Sequence, residues 1–204
     1  MMKKAVTKIY NAIQRNEDLK ETFNSVLDIL PERAETEQLL GELYEVLKGD
    51  HRLVEIVDLA IEREPENFQL YSYKATLVGK ENPKLAIKTL SESLPLLHQS
   101  NDEEHDVTWT YLRIAELLDK TGEHEESIAA CKLALEYYTE DEIKDTIYWL
   151  TYKFRGEQYL KLNQKNKARS DFLCALSHTR FKKDIINKIK EIDRGGVNEI
   201  STAK

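Results

Sequence analysis

Apolar side chains between Tyr111 and Tyr138 fall into two stripes. Tyr111, Ile114, Ala115 and Leu118 share one helical face, the stripe stops at Thr121-Gly122, and a second runs through Ser127, Cys131, Ala134 and Tyr138. Recurrence at three and four residues is the spacing of an amphipathic helix, so the pattern predicts two helices joined by a tight turn. Gly122 suits the left-handed residue that closes the first helix, and Glu123, Glu125 and Glu126 then face the positive end of the second. The pair reads as an antiparallel hairpin.

The same pattern recurs along the chain. Advancing Ala115, Ser127, Cys131 and Ala134 by 41 positions gives Gly156, Ala168, Phe172 and Ala175, with Tyr159 in the place of Leu118. Upstream, Leu40, Gly41 and Tyr44 precede Leu53, Val57, Ala60 and Pro65, and a copy 34 positions earlier has Tyr10, Leu19, Phe23, Val26 and Pro31. Tyr71, Ala75, Val78, Ala86, Leu90 and Ser93 supply a copy between them.

These five hairpins resemble the tetratricopeptide repeat, whose pattern runs W-x2-L-G-x2-Y, then A-x3-F-x2-A, then P over 34 residues. The resemblance covers Lys3 to Lys182, with no copy carrying Trp at the family's tryptophan position. It implies an all-α chain, a right-handed superhelical stack of antiparallel helix pairs. The expected hairpins span 3–31, 34–65, 68–98, 101–138 and 140–181 in a single array. Ile185, Ile186, Ile189 and Ile192 share one face of an expected capping helix over 182–193, ended by Gly195-Gly196 and followed by a mobile tail over 194–204.

Punctuation refines these boundaries. Asn16 is a candidate cap, Pro31 stops the first hairpin, Lys48-Gly49-Asp50 breaks the second, and Asn82 caps a helix that has Pro83 in its first position. Pro95 predicts that the preceding helix ends or kinks near Ser93. Asn101–Val107 and Glu142–Tyr148 exceed a bare 34-residue spacing. The capping-box patterns Ser100-x-x-Glu103 and Thr139-x-x-Glu142 make them extended helices rather than loops.

Composition agrees with an all-helical class. Seven Gly and four Pro in 204 residues are too few for a turn-rich β-protein. No run approaches the roughly 20 apolar residues that span a bilayer, and Met1 to Asn11 lacks the apolar stretch of a secretory signal, so a soluble cytoplasmic protein is expected. Cys131 and Cys174 fall on second-helix stripes, where cysteine acts as a small apolar residue.

Candidate chemistry is sparse. The five histidines, His51, His98, His105, His124 and His178, are scattered over different hairpins, and no two stand at metal-binding helical spacing. Asp102, Glu103, Glu104 and Asp106 read as a solvated helix start. There is no phosphate-cradling glycine loop and no nucleophile elbow. The expectation is a non-catalytic protein with no metal site and no cofactor.

Charge carries more information. Net charge is −7 over residues 32–67, −6 over 108–148 and +7 over 149–204, against −7 for the whole chain. Resemblance to the repeat family implies a concave groove lined by first helices. Register places Glu35, Gln38, Glu42, Glu45, Ser72, Thr76, Trp109, Leu112, Glu116, Asp119, Lys153 and Glu157 on it. The Lys, Asn and Arg with which chaperone adaptors of the family hold a C-terminal carboxylate are mostly replaced here by Gln, Glu, Ser, Thr and Leu. The groove is therefore expected to take a basic or amphipathic peptide of another protein, anchored near Trp109 and Leu112.

Two other readings stand beside it. The basic end, with Lys161, Lys165, Lys167, Arg169, Arg180, Lys182, Lys183, Lys188 and Lys190, could contact nucleic acid. Alternatively, it could dock on the acidic body of a second copy, giving a self-associating structural adaptor, or the acidic body could neutralise a basic partner protein.

Overall fold

Helix boundaries follow the local signals that the residues supply. The structure, a computed structural model, describes residues 1–29, 33–47, 50–98, 104–137, 146–179 and 181–201, with side chains at 33–35, 104–105, 146 and 195–201 left out. Eleven helices run through the described residues: α1 (Met2–Arg15), α2 (Leu19–Leu27), α3 (Arg33–Val46), α4 (Arg52–Arg63), α5 (Phe68–Val78), α6 (Pro83–Leu97), α7 (Glu104–Thr121), α8 (His124–Glu136), α9 (Thr146–Lys161), α10 (Lys165–His178) and α11 (Lys182–Ser201).

Three hairpin turns are closed by the same device. Asn16, Gly122 and Asn163 have left-handed backbones, with φ of 54°, 83° and 55°. Just beyond each, the N–H of Glu17, Glu123 and Gln164 donates to the carbonyl of Ala12, Leu118 and Tyr159 at 2.9, 2.9 and 2.8 Å. This six-to-one bond satisfies a carbonyl that the helix end would otherwise leave open. Asn16 therefore ends α1 and does not cap α2. The cap is Asp18, whose Oδ1 accepts from the Glu21 N–H at 2.9 Å. Asn82 does cap α6, accepting from the Leu85 N–H at 3.0 Å ahead of Pro83.

Two other boundaries differ from expectation. Of the end or kink expected near Ser93, the end does not occur, because α6 runs through Pro95 to Leu97. Pro95 lies in the last turn, where its missing N–H removes one bond and few follow. α11 continues past Gly195-Gly196 to Ser201, so Arg194–Ser201 is helical. Glycine weakens a helix by about 1 kcal/mol but, unlike proline, leaves the donor in place and adds no clash. Pro31, Lys48-Gly49, the two capping-box patterns and residues 138–145 lie outside the described residues; Glu104–Val107 and Thr146–Tyr148 are helical.

The chain divides into two compact units, Met1–Leu96 and Leu97–Lys204. In the first, α1 packs on α2 and α3, α2 on α4, and α4 on α3 and α5. Ile9, Ile13, Phe23, Leu27, Leu39, Leu40, Leu43, Ile56 and Val57 form its core, each almost fully buried. Arg52 at the start of α4 fastens this core from outside. It holds Asp50 through Nη2 at 2.6 Å and donates from Nη1 to the Ile13 carbonyl at 2.7 Å.

In the second unit each helix from α7 to α11 packs on the next, and α7 also packs on α9. Ile128, Ala168, Phe172, Ala175, Ile185 and Ile189 form a core shared by the last two hairpins and α11. Gly156 sets the approach of α9 to α10: a Cβ there would stand 2.9 Å from the Phe172 ring. In the preceding hairpin the corresponding positions are Ala115 and Cys131, both fully buried. One pair is small with large and the other is two of intermediate size, so the two hairpins fill similar space.

An ion pair crosses that same hairpin. The Arg155 guanidinium donates from Nε and Nη2 to both Asp171 carboxylate oxygens at 2.8 Å, with side chains only 15 % and 7 % exposed, and lies over the Tyr152 ring at 5.1 Å. Such a fork satisfies both partners, and removing one leaves the other charge buried.

Two outcomes are expected. Gly156→Ala should cost about 1–3 kcal/mol in urea unfolding, because the methyl overpacks against Phe172, and Phe172→Leu in the same chain should recover part of the loss. Asp171→Ala should cost about 3–5 kcal/mol, whereas Asp193→Ala, which breaks the exposed pair with Arg169, should cost far less.

Candidate functional site

The expected groove residues do not behave alike in the two units. In the first, Gln38 is exposed on α3 and donates from Nε2 to Glu42 at 3.3 Å, while Glu45 is exposed one turn further on. Glu35 has no described side chain. Thr76 is exposed on α5 and donates to the Ser72 carbonyl at 2.9 Å. Between these helices lies an open depression of about 410 Å³ lined by Tyr44, Gln69, Ser72, Tyr73, Thr76 and Leu77.

Gly41 makes that depression possible. A Cβ at this position would stand 3.3 Å from the Tyr73 hydroxyl, so the bare backbone lets α5 bring its ring close to α3. Around α3, Glu42 and Glu45 lie on the other side of Gly41 from Tyr44 and are not among the residues that line the depression. Tyr44 is 39 % exposed and offers an amphipathic ring. Sequence reasoning had used Tyr44 only as a repeat marker and passed over Gln69, Tyr73 and Leu77. Their three- and four-residue spacing with Ser72 and Thr76 was the available signal.

In the second unit the picture changes. Leu112 is 2 % exposed and is part of the core, so it presents no anchor. The reason is that α7 packs on both α8 and α9, which buries a wider arc than a one-sided helix would. Trp109 is 41 % exposed. Glu116 pairs with Arg113 at 2.9 Å. Asp119 accepts from Lys161 and has His124 Nδ1 at 3.2 Å, and that nitrogen is also 3.0 Å from Gln158 Oε1. Glu157 pairs with Lys153 at 2.9 Å and Lys188 at 3.3 Å, and Lys153 also reaches Asp184 at 3.7 Å. Glu116, Asp119 and Glu157 are thus matched by cations of their own unit.

Those pairs bear equally on the basic end. Lys161 and Lys188 are held by Asp119 and Glu157, and Arg169 by Asp193 at 2.7 Å, while Lys167 lies over the Tyr159 ring at 5.5 Å. Arg180 lies outside the described residues. A stripe of nine cations in the sequence is therefore partly neutralised where it folds.

Neither cysteine is set up to react. Cys131 is buried, and desolvation pushes its thiol up to about 12. Cys174, expected on the buried stripe, is half-buried, and burial raises its pKa as well. Both thiols stay protonated and weakly nucleophilic near neutrality. Among the described residues there is no group of three His, Cys, Asp or Glu that could hold a metal ion, and no helix long and apolar enough to cross a membrane.

No protein-family model matches the chain. No curated protein matches it either. Solved structures do. A crystal structure of MamA protein has a TM-score of 0.59 at 14 % identity, over 87 % of this chain and 91 % of that one. Bacillus thuringiensis PlcR, in complex with the peptide PapR7 and DNA, gives 0.58 at 17 % identity, over 95 % and 67 %. TTC0263, described as a thermophilic TPR protein in Thermus thermophilus, gives 0.50 at 16 % identity, over 94 % and 98 %. At such identities the likeness is one of fold. With helical hairpins throughout its described residues and this likeness to solved helical-repeat structures, the chain has the all-α tetratricopeptide-type fold.

Proposed function

We propose that the chain is a non-catalytic protein-interaction scaffold whose first unit receives a basic or amphipathic peptide segment of another protein. The observation that carries this reading is the open depression between α3 and α5, with Tyr44, Tyr73 and Leu77 on its wall; Glu42 and Glu45 follow on the next side of α3. Apolar side chains of a peptide gain by leaving water against the rings and Leu77. Lysine or arginine further along the peptide would meet those two carboxylates, which speeds capture and disfavours acidic competitors. Ser72, Thr76 and Gln69 supply hydroxyl and amide groups that hydrogen-bond an incoming polar backbone.

The acids of α3 favour the first unit. Glu42 has the neutral Gln38 amide beside it, whereas Glu116, Asp119 and Glu157 face cations of their own unit, as Asp50, Asp58 and Glu62 of the first unit do. Attraction of a basic ligand is reduced where the acids are neutralised in advance.

Fluorescence anisotropy with a labelled Lys/Leu amphipathic peptide and its Glu/Leu counterpart tests the reading. The basic peptide should bind at least about tenfold more tightly, Glu42→Lys with Glu45→Lys should remove most of that preference, and Thr76→Trp should block the depression. Trp109→Ala should leave binding unchanged. Equal affinity for the two peptides, or loss of binding on Trp109→Ala alone, contradicts the assignment.

A further inference from the structure

The second unit carries an aromatic cluster that neither the fold nor the groove accounts for. Trp149 of α9 lies 6.2 Å from Phe181, which stands just before α11 and is 63 % exposed. Next to Trp149 in sequence, Tyr148 makes edge contacts with Tyr152 at 5.0 Å and with His178 of α10 at 4.9 Å. Trp149 and Tyr152 rest partly on the core beneath, so the cluster is anchored from below and open above. Phe181 is the most exposed large apolar side chain among the described residues apart from Met1.

Position and charge define what could cover it. The backbone that carries the ring is tied down: the Phe181 amide N–H donates to Thr179 Oγ1 at 3.0 Å, and Thr179 is buried. Lys182 and Lys183 follow immediately and are exposed on the first turn of α11. Residues 149–204 carry +7. The nearest carboxylate in sequence, Asp184, is 3.7 Å from Lys153. An apolar ring beside two exposed cations fits a ligand of opposite design to the groove of the first unit.

We propose that Phe181, Trp149, Lys182 and Lys183 form a second docking site, which takes an acidic peptide segment bearing a large apolar or aromatic side chain. The apolar side chain covers Phe181 against Trp149, and flanking carboxylates meet Lys182 and Lys183. A protein segment is favoured over single-stranded nucleic acid because stacking along a strand needs a series of open ring faces. Here Trp149, Tyr148 and Tyr152 are each half-buried and only Phe181 stands well clear. The site is independent of the α3–α5 depression and stands or falls without it.

The chain has two tryptophans, Trp109 and Trp149, so Trp109→Phe leaves Trp149 as a sole reporter beside the site. Titration of this variant with a Glu-rich peptide carrying one central Phe should change Trp149 emission saturably. Adding Phe181→Ala should weaken binding about tenfold or more, and Lys182→Glu with Lys183→Glu should weaken it comparably, with helicity by circular dichroism unchanged in each. The proposal is overturned if the same peptide with Lys in place of Glu binds as well, if oligo(dT) binds more tightly, if Phe181→Ala has no effect, or if no saturable change occurs.

Discussion

Close approach of neighbouring helices is the constraint on which the rest of this structure depends, and it is set by what one helix lacks. At Gly156 the absent side chain is the space that the Phe172 ring occupies; at Gly41 it is the space beside the Tyr73 hydroxyl. Ala115 and Cys131 achieve the same separation with two modest side chains. A packed interior tolerates little change of volume at such points, so substitutions there alter helix spacing and not merely local contacts. In the first unit the spacing has a second effect. Because Gly41 admits the tyrosine ring, α3 and α5 stand close enough to share a depression yet leave it open.

The charge distribution gains meaning only once the chain is folded. Acids were read from the sequence as one continuous wall across several first helices. In the fold, the second unit matches Glu116, Asp119 and Glu157 with Arg113, Lys161, Lys153 and Lys188. These are mainly exposed or half-exposed pairs that contribute little stability each. Their larger effect is on recognition, since a carboxylate already facing an ammonium attracts an incoming cation weakly. The two units therefore present different surfaces: an open depression on α3 and α5, and an aromatic cluster with adjacent lysines before α11.

The helices were legible because helical periodicity and turn chemistry repeat at fixed offsets, as the left-handed Gly122 between α7 and α8 illustrates. What escaped did so for identifiable reasons. Asparagine favours both a helix N-cap and a left-handed helix end, so Asn16 could not be assigned from its type alone. Leu112 was placed on the groove because a one-sided helix was assumed, whereas α7 is buried against two neighbours. The pair of Asp119 with Lys161 joins residues 42 apart, and that of Arg155 with Asp171 lies inside a hairpin core; neither has a sequence signature. Tyr73 and Leu77 were hidden in plain helical register, since a ring that half-packs and half-lines a depression reads as core.

The most direct measurement is a heteronuclear NMR titration of the full chain with a Lys/Leu amphipathic peptide, following backbone amide shifts residue by residue. Peptide seated in the depression predicts the largest shifts along α3 and α5, centred on Tyr44, Ser72 and Thr76, with α7 and α9 little changed. Shifts concentrated around Trp109 and Glu116, or spread evenly over every acidic surface, would contradict a defined docking groove in the first unit.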